Sequence, residues 1–363
     1  MSMNIQQSTQ QYERWLGTYI DVVPNDIRHK HELMADGVFP FFRATFYRWM
    51  QLWPEACPDL RHVHDVLAVG DLHVENFGTW RDREGRLAWG VNDFDEAFPL
   101  PWTIDLVRLA TSALLAIRSD HLSLGRREAC DAILDGYTQG IKSKGRPFVL
   151  AEDHGWLRQI ANGKLRDPAV FWNKLDSLST WRRPVPDDAR NALRDFCPET
   201  NLESRIIHRV AGLGSLGRHR FVALSDWHGG RIAREAKALA PSACYFASNK
   251  AGSTRTFYQD IVDRALRVPD PCLGVRGRWI VRRLAPDCAR VELVDLPARH
   301  DESVLLYSMG YETANVHLGT KNARSIISRD LATLVPRWLQ AAAKRMTELV
   351  TEDWKQWRYF ATR

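Results

Sequence analysis

Several shortages in this chain each remove a class of answer. Its 363 residues include six cysteines, at positions 57, 130, 197, 244, 272 and 288, scattered without any Cys-x-x-Cys spacing. Such scatter argues against a disulfide framework or a structural zinc site; it suits small buried hydrophobes in a reducing compartment. No run of about 18 apolar residues occurs, and the stretch from Met1 to Trp15 is polar, so a soluble, cytoplasmic protein without a membrane segment is expected. Internal repeats and low-complexity segments are also missing. With 45% hydrophobic residues the chain can bury a sizeable core, as one bilobal domain or two closely packed ones.

The charge is +6 with a pI near 9.0, which favours anionic ligands, nucleotides among them. The basic residues are spread along the chain, however, as on a solvated surface. Near the C-terminus Trp338, Trp354 and Trp357 interleave with Lys344, Arg345, Lys355 and Arg358. At helical spacing this pattern predicts core aromatics with snorkelling basic side chains, so a nucleic-acid partner is not expected.

What is present is concentrated in Val69-Gly70-Asp71-Leu72-His73-Val74-Glu75-Asn76-Phe77-Gly78 and, behind a short β-rich hairpin, Val91-Asn92-Asp93-Phe94-Asp95. A carboxylate, an amide five residues on and then a carboxylate pair are the groups that phosphoryl transfer requires. The first Asp orients or deprotonates the attacking hydroxyl, and the Asn and later Asp hold Mg²⁺ against nucleotide phosphates. Magnesium takes oxygen ligands and keeps several waters, so few protein ligands suffice. Asp71 is therefore the expected base, Asn76 and Asp93 the metal ligands, and Asp95 a second-metal or orienting carboxylate. His73 joins Asp71 in the catalytic set, either orienting the loop through a hydrogen bond or touching substrate. Asp71 and Asn76 also suit ordinary turns. The pattern His62, His64, Asp65, Asp71 and His73 admits a metallophosphoesterase reading as well, although the further Asn- and His-bearing segments of such enzymes are absent.

The segment 70–76 looks like the catalytic loop of aminoglycoside phosphotransferases and related small-molecule kinases, and 92–95 resembles their metal-binding segment. More closely, Phe41-Phe42-Arg43-Ala44-Thr45, the 70–78 loop, and 92–96 followed by Pro101-Trp102 and Asp105-Leu106 resemble the bacterial domain-of-unknown-function family 2252, over roughly residues 30–320. The resemblance implies a kinase-like site.

A kinase places its Gly-rich loop and nucleotide-binding Lys before the catalytic loop, whereas here they appear downstream. Ala211-Gly212-Leu213-Gly214-Ser215-Leu216-Gly217 is followed by an apolar run at 221–224 and by Ile232-Ala233-Arg234-Glu235-Ala236. Glycines at such a turn let backbone N–H groups approach phosphate. The second apolar run, in place of a helix, separates the pattern from a dinucleotide fingerprint. Gly212, Gly214, Ser215 and Gly217 are the expected phosphate cover, Arg234 the phosphate-contacting cation and Asp263, on a helix at 257–266, its partner. The related family's pattern has Lys where Arg234 aligns, and the two are not interchangeable close to phosphate. Lys237 lies three residues on, so a register slip or a weakened nucleotide site are the alternatives.

The expected architecture is α+β, a bilobal protein-kinase-like fold with circularly permuted motif order. Residues 1–205 carry N-terminal helices and the catalytic-loop part of a helical lobe. Residues 206–300 form a smaller β-rich nucleotide lobe, with strands at 279–284 and 291–293, and residues 301–363 complete the helical lobe. Two short helices are expected between Asp26 and Trp53, a helix capped by Thr103, helices at 122–141 and 189–196, and helix from 303 to 358 broken at Pro336. The expected activity is ATP- and Mg²⁺-dependent transfer to a hydroxyl of a small-molecule acceptor. A nucleotide-binding pseudokinase or interaction module without transfer is the alternative, with nucleotidyl transfer behind it.

Overall fold

The computed structural model describes residues 3–119, 121–150, 154–155, 157–158, 167–248, 255–288 and 302–361. Four helices open the chain: α1 (Ile5–Gly17), α2 (Pro24–Asp36), α3 (Val38–Ala44) and α4 (Phe46–Ala56). Asn4 and Gln7 form a reciprocal cap on α1. The stretch from Asp26 to Trp53 thus holds three helices where two are expected. Pro40 is the third residue of α3, where its missing N–H leaves no intrahelical bond unmade, so only Gly37 and Thr45 interrupt.

Strands β1 (Asp65–Ala68) and β4 (Phe98–Pro101) pair with each other, while β2 (Phe77–Arg81) and β3 (Leu87–Val91) form a hairpin extended by β5 (Phe148–Val149). Between them lie α5 (Thr103–Arg118) and α6 (Arg126–Ser143). Thr103 is the first residue of α5, not its cap; its hydroxyl donates to Leu60 O at 3.3 Å. Two short helices, α7 (Pro168–Asp176) and α8 (Asp187–Asp195), precede the largest sheet.

That sheet is fully antiparallel in the order β6-β7-β8-β10-β9, built from β6 (Arg205–His208), β7 (Arg220–Trp227), β8 (Gly230–Ala238), β9 (Gly274–Arg276) and β10 (Trp279–Leu284). Helices α9 (Ala243–Ala247) and α10 (Tyr258–Arg264) lie between β8 and β9. Alternation splits the strands into two faces. Val222, Leu224, Ala233 and Leu284 share one with Phe171 and Leu175 of α7, while Phe221, Ala223, Ala236 and Val281 face the main core with Ala189 and Leu193 of α8. The strand expected at 291–293 lies outside the described residues.

The chain ends in α11 (Glu302–His317), α12 (Ala323–Leu331) and α13 (Trp338–Ala361), so residues 318–322 add a second break to the one at Pro336. Helices α6 and α11 pack backbone to backbone. A Cβ on Gly136 would stand 1.9 Å from Tyr307 O, and one on Gly310 would stand 2.0 Å from Ile133 O. Helix α13 returns against α1, α2, α3, α4 and α5, joining the two ends of the chain in one helical layer. Trp338 and Trp357 are buried in that layer, and Trp354 packs against it. The fold class is α+β. All six cysteines are free, three of them buried. Among the described residues no helix is long and apolar enough to cross a membrane.

Candidate functional site

The loop after β1 is fixed from below. Backbone N–H groups of Val69 and Gly70 donate to the two carboxylate oxygens of Asp105 on α5, at 2.7 and 2.8 Å. His317 Nε2 meets Asp105 Oδ2 at 3.0 Å, and Tyr137 OH meets His317 Nδ1 at 2.8 Å. Gly70 has φ +81°, and a Cβ there would lie 2.5 Å from Glu96 O, so the turn that presents Asp71 requires glycine.

Asp71 then enters a cleft lined also by Tyr12, Asn76, Asp93, Glu96 and Ser215. Its Oδ1 accepts from Nε and Nη2 of Arg108 at 2.8 and 2.5 Å. Arg108 is 0% exposed, and its guanidinium lies 4.0 Å from the Phe42 ring centroid and 5.0 Å from those of Phe46 and Trp49. Burial pushes the Asp71 carboxyl up, and the Arg108 charge offsets part of that rise. A proton-accepting group whose affinity is raised while one oxygen is pinned is suited to general-base work.

Asn76 donates through Nδ2 to the carbonyls of Asp71 and Asp93, both at 3.1 Å, which commits its amide hydrogens and leaves its carbonyl oxygen as the group it can offer a cation. His73 is buried, lines the cleft and accepts the Glu75 N–H on Nδ1 at 3.2 Å. Glu75, on the same loop, forms an ion pair with Arg43 inside the cleft.

Behind Asp71, Lys237 Nζ lies 3.2 Å from both Asp93 oxygens and 2.5 Å from Asp95 Oδ1. Burial raises the Asp93 carboxyl, but Lys237, then the bond from Asp95 and the charges of Arg282 and Arg220, outweigh it and hold Asp93 well below the usual carboxylate range. Asp95 is pushed up by burial and by the Asp93 charge, so the pair divides into one firmly ionised member and one that holds its proton more readily. Arg218, 2% exposed, bridges Asp95 and Glu96 at 3.3 Å each. Glu96, pushed up to about 7 by burial against the pull of Arg218, also accepts from Ser242 Oγ and Ala243 N.

The glycine turn closes the other side. Gly212, at φ +76°, leads into a short 3-10 turn at Leu213–Ser215 before Gly217, at φ +96°. A Cβ on Gly214 would lie 3.4 Å from Asp71 Oδ2 and 3.0 Å from Arg43 O, so the bare backbone is what lets the turn approach the carboxylate. Well over a hundred residues separate Asp71 from the turn in sequence, yet Asp71 and Gly212–Ser215 line one cleft; Gly217, expected to cover phosphate with them, is not in that lining and faces Ile27 and Val22.

Arg234 and Asp263 are not part of that assembly. In the register of β8, Arg234 pairs with Ala223 and Arg283 on one face, whereas Glu235 and Lys237 belong to the face of Arg220 and Arg282. Arg234 Nε donates to Phe196 O at 2.8 Å, and Asp263 accepts from Gln259 Nε2 at 2.7 Å on the exposed side of α10. An odd offset along a strand changes the face, so the cation that reaches the carboxylates is Lys237. Arg108 and Arg218 were also not picked out by sequence. The signal for Arg108 is that it and Asp105 are the two charges within the apolar body of α5; no local signal marks Arg218.

The histidine-rich pattern is dispersed. His64 is tied to Asp330 through Nδ1 at 3.0 Å and through its backbone N–H at 3.0 Å. Among the described residues no three His, Cys, Asp or Glu side chains form a metal-holding group. Asn76, Asp93 and Asp95 nevertheless offer the few hard oxygen donors that Mg²⁺ needs when phosphates complete its shell.

A family model decides how far likeness extends. It matches residues 22–156 and is described as an uncharacterized protein conserved in bacteria (DUF2252). The matched segment holds Asp71, His73, Asn76, Asp93 and Asp95, while the glycine turn and Lys237 lie beyond it. No curated protein and no solved structure matches the chain.

Proposed function

We propose that the protein is an ATP- and Mg²⁺-dependent phosphotransferase acting on a hydroxyl of a small-molecule acceptor, with a kinase-like bilobal arrangement in permuted order. The observation that carries the reading is the meeting of Asp71, Asn76 and Asp93 with the glycine turn at Gly212–Ser215 in one cleft, with Lys237 bonded to Asp93 behind it. Asp71 takes the acceptor proton as the acceptor oxygen bonds to the γ-phosphorus; the bond to the β-bridging oxygen breaks and ADP leaves. Asn76, Asp93 and Asp95 would hold Mg²⁺, which supplies neutralisation of phosphate charge when bound. Lys237, now shared between two carboxylates, is the cation that phosphate would draw away from them. The exchange of Lys237 for Arg234 removes the strongest sequence argument for a pseudokinase. The space beside Asp71 is only about 50 Å³, which favours a slender acceptor group over a folded protein surface.

The test is mass analysis of products after incubation with ATP, Mg²⁺ and a metabolite extract, alongside the Asp71→Asn protein. A metabolite gaining one phosphoryl group with the wild type alone is the expected result. No product in either sample, with ATP binding intact, would favour an interaction module instead.

A further inference from the structure

On the far side of the glycine turn a second cavity of about 230 Å³ opens, sharing Gly212 with the cleft and reaching Asn92, next to Asp93. Its charge is opposite to that of the cleft. Lys174, Arg209, Arg267, Arg282 and Arg283 line it, and among the described residues Asp270 is the one carboxylate that faces them. Glu235, 0% exposed, sits behind and satisfies Arg209 at 2.7 Å and Arg282 at 2.8 Å, fixing their positions while also engaging Arg220 at 2.8 Å. One buried carboxylate among three guanidinium groups leaves a positive surplus at the cavity wall.

Arg267 is the most exceptional of the five. Its guanidinium packs 4.4 Å from the Trp80 ring centroid and 5.1 Å from that of Phe94, and its buried Nη1 has no hydrogen-bond partner among the described residues. Arg283 Nε is likewise buried without a partner, its guanidinium reaching Asp270 only at 3.8 Å. Buried donors left open at the wall of a cationic cavity call for an anionic acceptor, because an unmatched charged donor is costly and a guanidinium fork matches phosphate oxygens. The Trp80 face, which would otherwise stack on a base, is covered by Arg267.

From this geometry we infer that the cavity is an oligophosphate site, taking the phosphate chain of a nucleoside triphosphate and delivering its end past Gly212 and Asn92 to Asp93. It rests on the proposed phosphotransferase reading only in taking the chain to belong to a nucleotide; free oligophosphate has the same chemistry. The volume, below the roughly 300–1,000 Å³ usual for whole ligands, suits that part of the molecule. The grip is made by arginines of β10, the β6 end and the segment after α10, where a kinase relies on a glycine loop, one lysine and metal.

Thermal melting and calorimetry of the full chain in EDTA, with sodium tripolyphosphate, ATP or adenosine, test this. Tripolyphosphate and ATP should each bind and raise the melting temperature, with affinity falling as NaCl rises, and adenosine should not. Arg267→Gln should weaken tripolyphosphate about tenfold, the loss expected for one charged donor. Lys174→Gln, at an exposed position that folding does not depend on, should weaken it less, and serves if the Arg267 variant fails to fold. Stabilisation by adenosine but not tripolyphosphate would overturn the assignment, since the base would then occupy the cavity. Unchanged tripolyphosphate affinity in both variants would overturn it too. Binding without transfer of the γ-phosphate would instead count against the phosphotransferase reading and leave this site standing.

Discussion

Two carboxylate groups stand side by side in this protein, one fully buried and one half-buried, and are built on opposite terms. Asp105 accepts two backbone N–H groups and meets His317, itself bonded to Tyr137; Asp105 and His317 are both 0% exposed in their side chains. Asp71, the residue after Gly70, has one oxygen pinned by Arg108 and the other facing the glycine turn at the cleft. The Tyr–His–Asp chain has the outline of a catalytic relay, but its three side chains are fully buried among the described residues, away from the cleft, and its partners are matched, so it acts as scaffold. Reactivity lies where matching stops. The scaffold ends and the cleft begins within a single peptide unit.

The comparison breaks most sharply at Asp71. Asp71→Asn should lower turnover by about 10²–10⁴-fold while leaving nucleotide affinity near the wild-type value. ATP hydrolysis in water serves as the assay until an acceptor is known. The variant should not be thermally silent, because Arg108 is buried and loses its counter-charge, although an amide oxygen can still accept; a cost of about 1–3 kcal/mol is expected in denaturant titration. Full turnover in a folded Asp71→Asn protein would remove Asp71 from the role of base.

Asp105→Ala is the mirror experiment. It strips two backbone donors and His317 of their partner in a site without water access, at a cost of about 3–5 kcal/mol. Chemical denaturation measures it. If Asp105→Ala were no less stable than Asp71→Asn, the division into saturated scaffold and open cleft would not stand.

The two faces of β8 allow a finer test. Asp93→Ala should abolish the extra thermal stabilisation that Mg²⁺ adds to ATP, and Lys237→Gln should weaken the binding of ATP itself, with affinity falling about tenfold for each. Arg234→Gln should keep both and lose only structural stability, about 1–2 kcal/mol from its bond to Phe196 O. The reverse outcome would return Arg234 to the site.

That pair also marks where sequence stopped being legible. The 70–78 loop and the 92–96 segment were readable because their groups lie close in sequence, and the glycine turn because strand alternation flanks it. Which of Arg234 and Lys237 faces the carboxylates depends on the parity of a register set by β7 and β10, which an isolated motif does not contain. Arg108 reaches Asp71 across 37 residues and Arg218 reaches Asp95 across 123, both through tertiary packing. The third N-terminal helix was missed because proline reads as a breaker except near a helix start, where α3 places Pro40. The basic cavity draws its five cations from α7, the end of β6, the segment after α10 and β10, so no local tract announces it.

The smallest effect distinguishes the two regions by pH. Glu96 in the cleft and Glu312 in the helical layer are both pushed up to about 7, in each case by burial first. An acid whose folded pKa exceeds its unfolded value near 4.5 binds more protons when folded. Its contribution is therefore complete below pH 4.5 and is lost as pH rises to about 7. Stability should decline across that window, and Glu312→Gln, which keeps an acceptor for Asn315 and cannot ionise, should flatten the decline by roughly 1–2 kcal/mol at pH 8. Glu96→Gln should flatten it similarly in the free protein. The two should part when MgATP is added, because Glu96 lies beside Asp95 and Arg218 in the cleft, whereas Glu312 touches Asn315 and the Val91 N–H outside it and is linked to the nucleotide only through the charge of Arg267. Saturating MgATP should change the pH profile of the Glu312→Gln protein, which retains Glu96, more than that of Glu96→Gln, where only the indirect link of Glu312 through Arg267 remains. Equal responses from both variants would mean that the nucleotide acts on the whole fold and that Glu96 has no electrostatic link to the cleft.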